Sequence, residues 1–266
     1  MNETTLTFEV HDHIAWIRLK RNAINDDMAN ELMNAAWTCE QDDAIRVVVI
    51  TGTDSAFSYG GDLKSFASSK EEIGRHLKKV TTALHAAVSS FVRMRKPVIT
   101  GVNGVAAGAG MSLAMMGDLV IAAESAKFTM AYTNVGLTPD GSASYFLPRL
   151  VGMKRALELT LTNRVLTAAE AMEWGIVTAV VPDEQFEEKV KQTAAVICEG
   201  PVQAYGAAKS LLYQSFAQTL ESQLALESDM IANRTRSAEG QEGISAFIEK
   251  RKARFKQIDE KAGDFE

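Results

Sequence analysis

Twice before Met111, an unbroken run of apolar, largely β-branched residues gives way at once to a loop of small and polar residues, and this pairing limits what the chain can become. The runs are Arg46 to Thr51 (RVVVIT) and Val98 to Val102. A strand without polar alternation has both faces covered, the habit of parallel strands packed between helices. The loops that follow are Gly52 to Asp62 and Asn103 to Gly110. A helical pattern from about Glu71 to Arg93 separates the two units and ends before Lys96-Pro97. Strand and helix in alternation predict an α/β core.

The flanking sequence extends this reading. Leu6 to Val10 and His13 to Lys20 read as a hairpin turning at His11-Asp12. Asn25, followed by Asp26 and Asp27, reads as the cap of a helix whose Met28, Leu32, Met33 and Ala36 recur at helical spacing. Strands are expected at Asp118 to Ala122 and Lys127 to Met130, and almost entirely helical patterns from Ser142 onward, including the charged segment Glu239 to Ala262. The expected division is a core of residues 1–195 and a helical C-terminal region of residues 196–266.

Composition removes whole classes of partner. A formal charge of −6, with no dense Lys/Arg stripe, leaves no electrostatic footprint for nucleic acid. No basic leader and no apolar run of about 18 residues occurs, so no membrane partner and a cytoplasmic location are expected. Cys39 and Cys198 lie far apart without a Cys/His cluster, which predicts buried free thiols. His11, Asp12 and His13 read as a solvated turn flank, and His76 likewise, so no metal site is expected.

Chemistry concentrates in the two loops. Small residues leave backbone N–H groups accessible, and a helix N-terminus aims unpaired donors at a developing anion. Phosphate binding is the nearest competitor, but neither GxxxxGK[ST] nor GxGxxG is present. Outside the loops stand Asp140, readable as the N-cap of a following helix, and His85 on the long helix.

Phe57-Ser58-Tyr59-Gly60-Gly61-Asp62-Leu63 and Val102-Asn103-Gly104-Val105-Ala106-Ala107-Gly108-Ala109-Gly110 resemble the two loop signatures of the crotonase superfamily, the enoyl-CoA hydratase/isomerases. The likeness runs from Arg21-Asn22-Ala23-Ile24-Asn25 to Glu242-Gly243-Ile244-Ser245-Ala246-Phe247. It implies a spiral of ββα units with a C-terminal helical trimerisation region, assembled as a homotrimer or a dimer of trimers. It implies an acyl-CoA thioester substrate, coenzyme A being part of that substrate and no separate cofactor being required. Gly61 and Ala109 would donate two N–H bonds to the thioester oxygen, flanked by Gly60, Asp62, Leu63 and Gly108. Arg21 and Ala23 would meet the coenzyme A moiety, as would Lys252 and Phe255 contributed to a neighbouring subunit. Tyr59 would line or narrow the acyl pocket.

Carboxylates decide which reaction the resemblance implies. Hydratases of the family use two glutamates, and the matching positions here hold Ser112 and Tyr132. Neither activates water as a carboxylate does. Asp140, in Gly136-Leu137-Thr138-Pro139-Asp140-Gly141, stands where the family's isomerases place an acidic base, and a 1,3-proton shift needs only one. The runner-up is a likeness to 4-chlorobenzoyl-CoA dehalogenase, in which His85 would be a general base, Asp140 a nucleophile and Tyr132 would stand in for a Trp. That chemistry predicts His85 and Asp140 on opposite flanks of one pocket. A non-catalytic CoA-binding scaffold is the remaining alternative.

Overall fold

A computed structural model of the chain describes residues 4–68 and 72–258; Glu71 and the end of the segment Glu239 to Ala262 lie partly outside them. β1 (Leu6–His11) and β2 (Ile14–Leu19) form the expected antiparallel hairpin. Asp12 and His13 both have positive φ, the conformation that matches a two-residue turn to strand twist. The Asn25 side chain accepts from Met28 N and opens α1 (Asp26–Gln41). β3 (Val47–Gly52) is buried at every position, as is β5 (Val98–Val102).

The loops after these strands hold structure that the sequence did not announce. β4 (Ala56–Ser58) follows β3, and β6 (Val105–Ala107) follows β5. β7 (Leu119–Ala123) and β8 (Lys127–Thr129) repeat the arrangement. Helices follow each pair: α2 (Leu63–Ser68) and α3 (Ile73–Arg93), then α4 (Ala109–Met115), then α5 (Ala143–Val151) and α6 (Met153–Thr162). In each unit the first strand enters one sheet, ordered β1-β2-β3-β5-β7 and completed by β10 (Ala179–Val181), and the second enters another, ordered β4-β6-β8 and completed by β9 (Leu166–Thr167). That is the ββα spiral.

Three readings need correction. The chain beyond Ser142 is not almost entirely helical: β9 (Leu166–Thr167) pairs antiparallel with β8, and β10 (Ala179–Val181) adds a parallel edge strand to β7. These strands are too short for a period to show. The charged end is not one helix. After α7 (Ala168–Glu173), α8 (Phe186–Cys198), α9 (Val202–Ser215) and α10 (Leu220–Arg236), α11 (Ala238–Ile248) stops where Lys250 adopts φ 55° and Arg251 turns back onto Glu242. Lys252 and Phe255 therefore lie in irregular chain, not on a helix face. His76 is not solvated: it is half-buried beside the Phe66 ring, and its Nε2 is out of solvent without a hydrogen-bond partner.

The core is continuous from α1 and α3 through the sheets to α5 and α6. Arg46 is buried in it and donates to the carbonyls of Cys198 and Gly200, tying the end of α8 to the first strand run. Both cysteines are free and buried, and burial pushes the Cys39 thiol up to about 12, which removes it as a nucleophile at neutral pH.

Candidate active site

The two loops meet because glycine lets backbone approach backbone. A Cβ on Gly104 would lie 2.1 Å from Ser55 O, and one on Gly110 would lie 2.3 Å from Ser58 O. Neither contact tolerates a side chain. Asn103 fastens the junction: its Oδ1 accepts from Gly52 N at 3.1 Å, while its Nδ2 donates to Asp54 O at 3.0 Å and Ala56 O at 3.2 Å. Its role was hidden in the sequence, since all three partners lie about fifty residues upstream.

Each proposed donor has an N–H without a partner among the described residues, for a local reason. Ile24 donates to Gly60 O and accepts from Asp62 N, so this parallel bridge brackets Gly61 without using its N–H. Ala109 is the first residue of α4, where the helix supplies no acceptor. The loops are adjacent, for a Cβ built on Gly60 would lie 3.0 Å from Ala109 N. Gly60 and Gly108 both hold positive φ, and Gly60 N–H bonds to the buried Ser58 hydroxyl at 3.2 Å.

The early segment runs alongside. Tyr59 N donates to Asn22 O, so Arg21 and Ala23 flank the first loop. Asp62 Oδ1 accepts from Ser65 N, which gives it a capping role on α2. Tyr59 and Leu63 are exposed. Phe255 packs at Gly243 on α11.

A polar chain leads from α4 to the acid. Gly108 faces the Tyr132 ring. Tyr132 O–H donates to Asp140 Oδ1 at 2.5 Å, and Ser112 Oγ lies 3.0 Å from the same phenol and 2.9 Å from Asp140 O. Burial, followed by the negative charge of Asp140, pushes the phenol pKa well up, so Tyr132 remains a donor at all ordinary pH. Ser112 is fully buried and fixes the backbone of the turn that carries the acid. Asp140 is not the cap of α5; that position belongs to Ser142.

His85 also arrives here, but not on the opposite flank. Its Nε2 is 3.9 Å from Asp140 Oδ2 and accepts a hydrogen bond from Gly141 N at 3.1 Å. An amide donor requires an acceptor, so Nε2 carries no proton and its lone pair is engaged. Tyr132 holds Oδ1, and Oδ2 lies beside His85 Nε2. His11 and His13 make separate contacts, with Glu9 and Ala44 O, and no group of three metal-ligating side chains occurs among the described residues.

Residues 9–259 match the family model described as enoyl-CoA hydratase/isomerase. The chain belongs to the enoyl-CoA hydratase/isomerase family. It is 38% identical over 238 residues to the 1,2-epoxyphenylacetyl-CoA isomerase of Escherichia coli K12, covering 88% of this chain and 90% of that protein. It is 33% identical over 222 residues to 4-chlorobenzoyl coenzyme A dehalogenase-1 of an Arthrobacter species, covering 82% and 80%. The crystal structure of an enoyl-CoA hydratase from Polaromonas sp. JS666 superposes with a TM-score of 0.89 at 30% identity, covering 93% of this chain and 98% of that one. Family members thus include isomerase, dehalogenase and hydratase names, and the side chains at the acid must decide among them.

Proposed function

We propose that this family member is an enoyl-CoA isomerase with Asp140 as its single acid/base. The supporting observation is the Tyr132 hydroxyl on Asp140 Oδ1, which leaves Oδ2 as the one carboxylate oxygen free to take a proton. The thioester oxygen accepts from Gly61 N–H and Ala109 N–H. Oδ2 removes a proton from the carbon next to the carbonyl of a β,γ-unsaturated thioester, and the electron pair passes into a dienolate. The same proton returns to the γ carbon, the double bond moves into conjugation, and the carboxylate is regenerated. Two preorganised donors strengthen as the oxygen gains charge, each contributing about 3 kcal/mol at the transition state.

The test is a panel of acyl-CoA thioesters, with double-bond position read by chromatography. Conversion of β,γ- to α,β-unsaturated thioester without net addition of water is expected. Hydration as the main reaction would overturn the reading. The dehalogenase-like or hydrolase alternative would use Asp140 with His85, which stand side by side 3.9 Å apart rather than on opposite flanks. It predicts solvent oxygen-18 entering the Asp140 carboxylate after turnover, which isomerisation does not.

The assembly proposed is a homotrimer or a dimer of trimers in the cytoplasm, with coenzyme A entering only as part of the substrate. Its support is α10, a helix of 17 residues that buries none of them against its own chain, and exposed Leu220, Leu224, Ile231, Phe247 and Ile248 nearby. Such a face needs a cover. Light scattering should give three or six times the chain mass, and a monomer would refute it. No described helix is long and apolar enough to cross a membrane.

A further inference from the structure

The turn that carries the acid is not held by its own residues alone. Gly141 and Ser142 both adopt positive φ, 58° and 77°, and a serine in that region is strained. One local bond closes the turn, Ala143 N donating to Asp140 O at 3.1 Å, but it does not set where the turn points. Two side chains distant in sequence do that. Ser112 Oγ on α4 donates to Asp140 O at 2.9 Å, and His85 Nε2 on α3 accepts from Gly141 N at 3.1 Å. The seat is close, for a Cβ on Gly141 would lie 3.1 Å from Ser112 Cβ.

Ser112 stands on the helix that presents an oxyanion donor. α4 begins at Ala109, whose N–H is assigned to the thioester oxygen, and Ser112 follows three residues later. Residues so spaced share one helix face at a fixed separation. The acid is thereby tied, through its own carbonyl, to the element that holds the thioester oxygen. A proton shift makes that spacing matter: Oδ2 must reach the α carbon and then the γ carbon while the thioester stays on its two donors. A misplacement of about 1 Å can cost about 10²-fold in rate.

We infer that Ser112 and His85 are positioning residues that key Asp140 to the oxyanion hole, Ser112 setting the turn against α4 and His85 setting it against α3. This rests on the isomerase reading and deepens it. His85 then serves as a hydrogen-bond acceptor and not as a base, since its Nε2 lone pair is engaged by Gly141 N–H. The two are unequal. Ser112 is fully buried, whereas the His85 side chain is 51% exposed and water can partly replace its bond.

The test uses trans-3-hexenoyl-CoA carrying deuterium on its α carbon, in ordinary water. Steady-state kinetics give kcat and KM, and mass spectrometry of the 2-hexenoyl product counts the deuterium carried to the γ carbon. Wild type should carry most of the removed label across, because one oxygen serves both carbons. Ser112→Ala leaves Asp140 O paired with Ala143 N and so should fold. Its kcat should fall about tenfold with KM within about twofold, and it should carry less than about half the wild-type label, as a loosened Oδ2 gives water time to exchange. His85→Leu should act in the same direction at about threefold to fivefold. His85→Gln, which offers an acceptor but no base, should recover most of that loss. A merely structural role would lower the amount of active protein without changing the label carried per turnover.

A Ser112→Ala enzyme with wild-type kcat and label, or a His85→Gln enzyme as poor as His85→Leu, would overturn the inference while migration by wild type keeps the isomerase reading standing. A wild type that exchanges α deuterium with water but moves no double bond would sink that reading instead, and the exchange rates of the same variants would then decide the positioning roles. A wild type that does neither would remove the base, and the residues said to position it, together.

Discussion

Asp140→Asn should lower kcat for double-bond migration by about 10³-fold, within the range contributed by a positioned general base. Asparagine keeps the size of the side chain and its oxygen still accepts from Tyr132, so the turn and the loops stay in place. What it lacks is an oxygen able to receive a proton at the position of Oδ2. KM should therefore change far less than kcat, since the groups assigned to hold the thioester are untouched. Tyr132→Phe makes the useful contrast. It retains the base but removes the 2.5 Å bond to Oδ1, so kcat should fall only about tenfold. Steady-state kinetics of both variants would check this, and an Asp140→Asn enzyme that turns over like wild type would remove Asp140 from the mechanism.

The contrast also separates what the sequence discloses from what only geometry can. β3 and β5 were legible because burial on both faces leaves an apolar run with no competing explanation, and α1 because Asn25 combines a cap with acids in the first turn. β4 and β6 span three residues each, too few for any period, although they carry the loops against one another. At the site, Gly61, Ala109, Asp140 and Tyr132 stood out through local motifs, and the acid and phenol prove to be in contact. His85 was visible as a residue but not as an acceptor for Gly141 N–H, because that partner is 56 positions away. Ser112 drew notice only for the carboxylate it lacks, while its bond to Asp140 O depends on α4 lying beneath the 140–142 turn. Local chemistry survives in sequence. Long-range hydrogen bonding does not.

The largest stability effect should come from Lys209, which fastens α9 to the end of α3 and to Asp118 just before β7. Its Nζ donates to Asp118 Oδ2 at 2.8 Å and to Phe91 O at 3.0 Å, and Asp118 accepts in turn from Val98 N. Burial pushes the Lys209 pKa down and the Asp118 pKa up, and each charge partly restores the other. Lys209→Met removes the cation and leaves a buried carboxylate with one amide donor, which should cost about 3–5 kcal/mol. Adding Asp118→Asn removes the stranded charge and should recover at least half of that loss. The sign of the pH dependence follows from the same carboxylate. With its folded pKa raised, Asp118 binds more protons in the native than in the unfolded state, so stability rises as pH falls toward the ordinary carboxylate range. The Lys209→Met deficit should therefore be smaller at about pH 5 than at about pH 7. Denaturant titrations at fixed protein concentration measure all three quantities, the fixed concentration being needed because association would add to apparent stability. An additive double mutant would show that the two charges do not act as a pair.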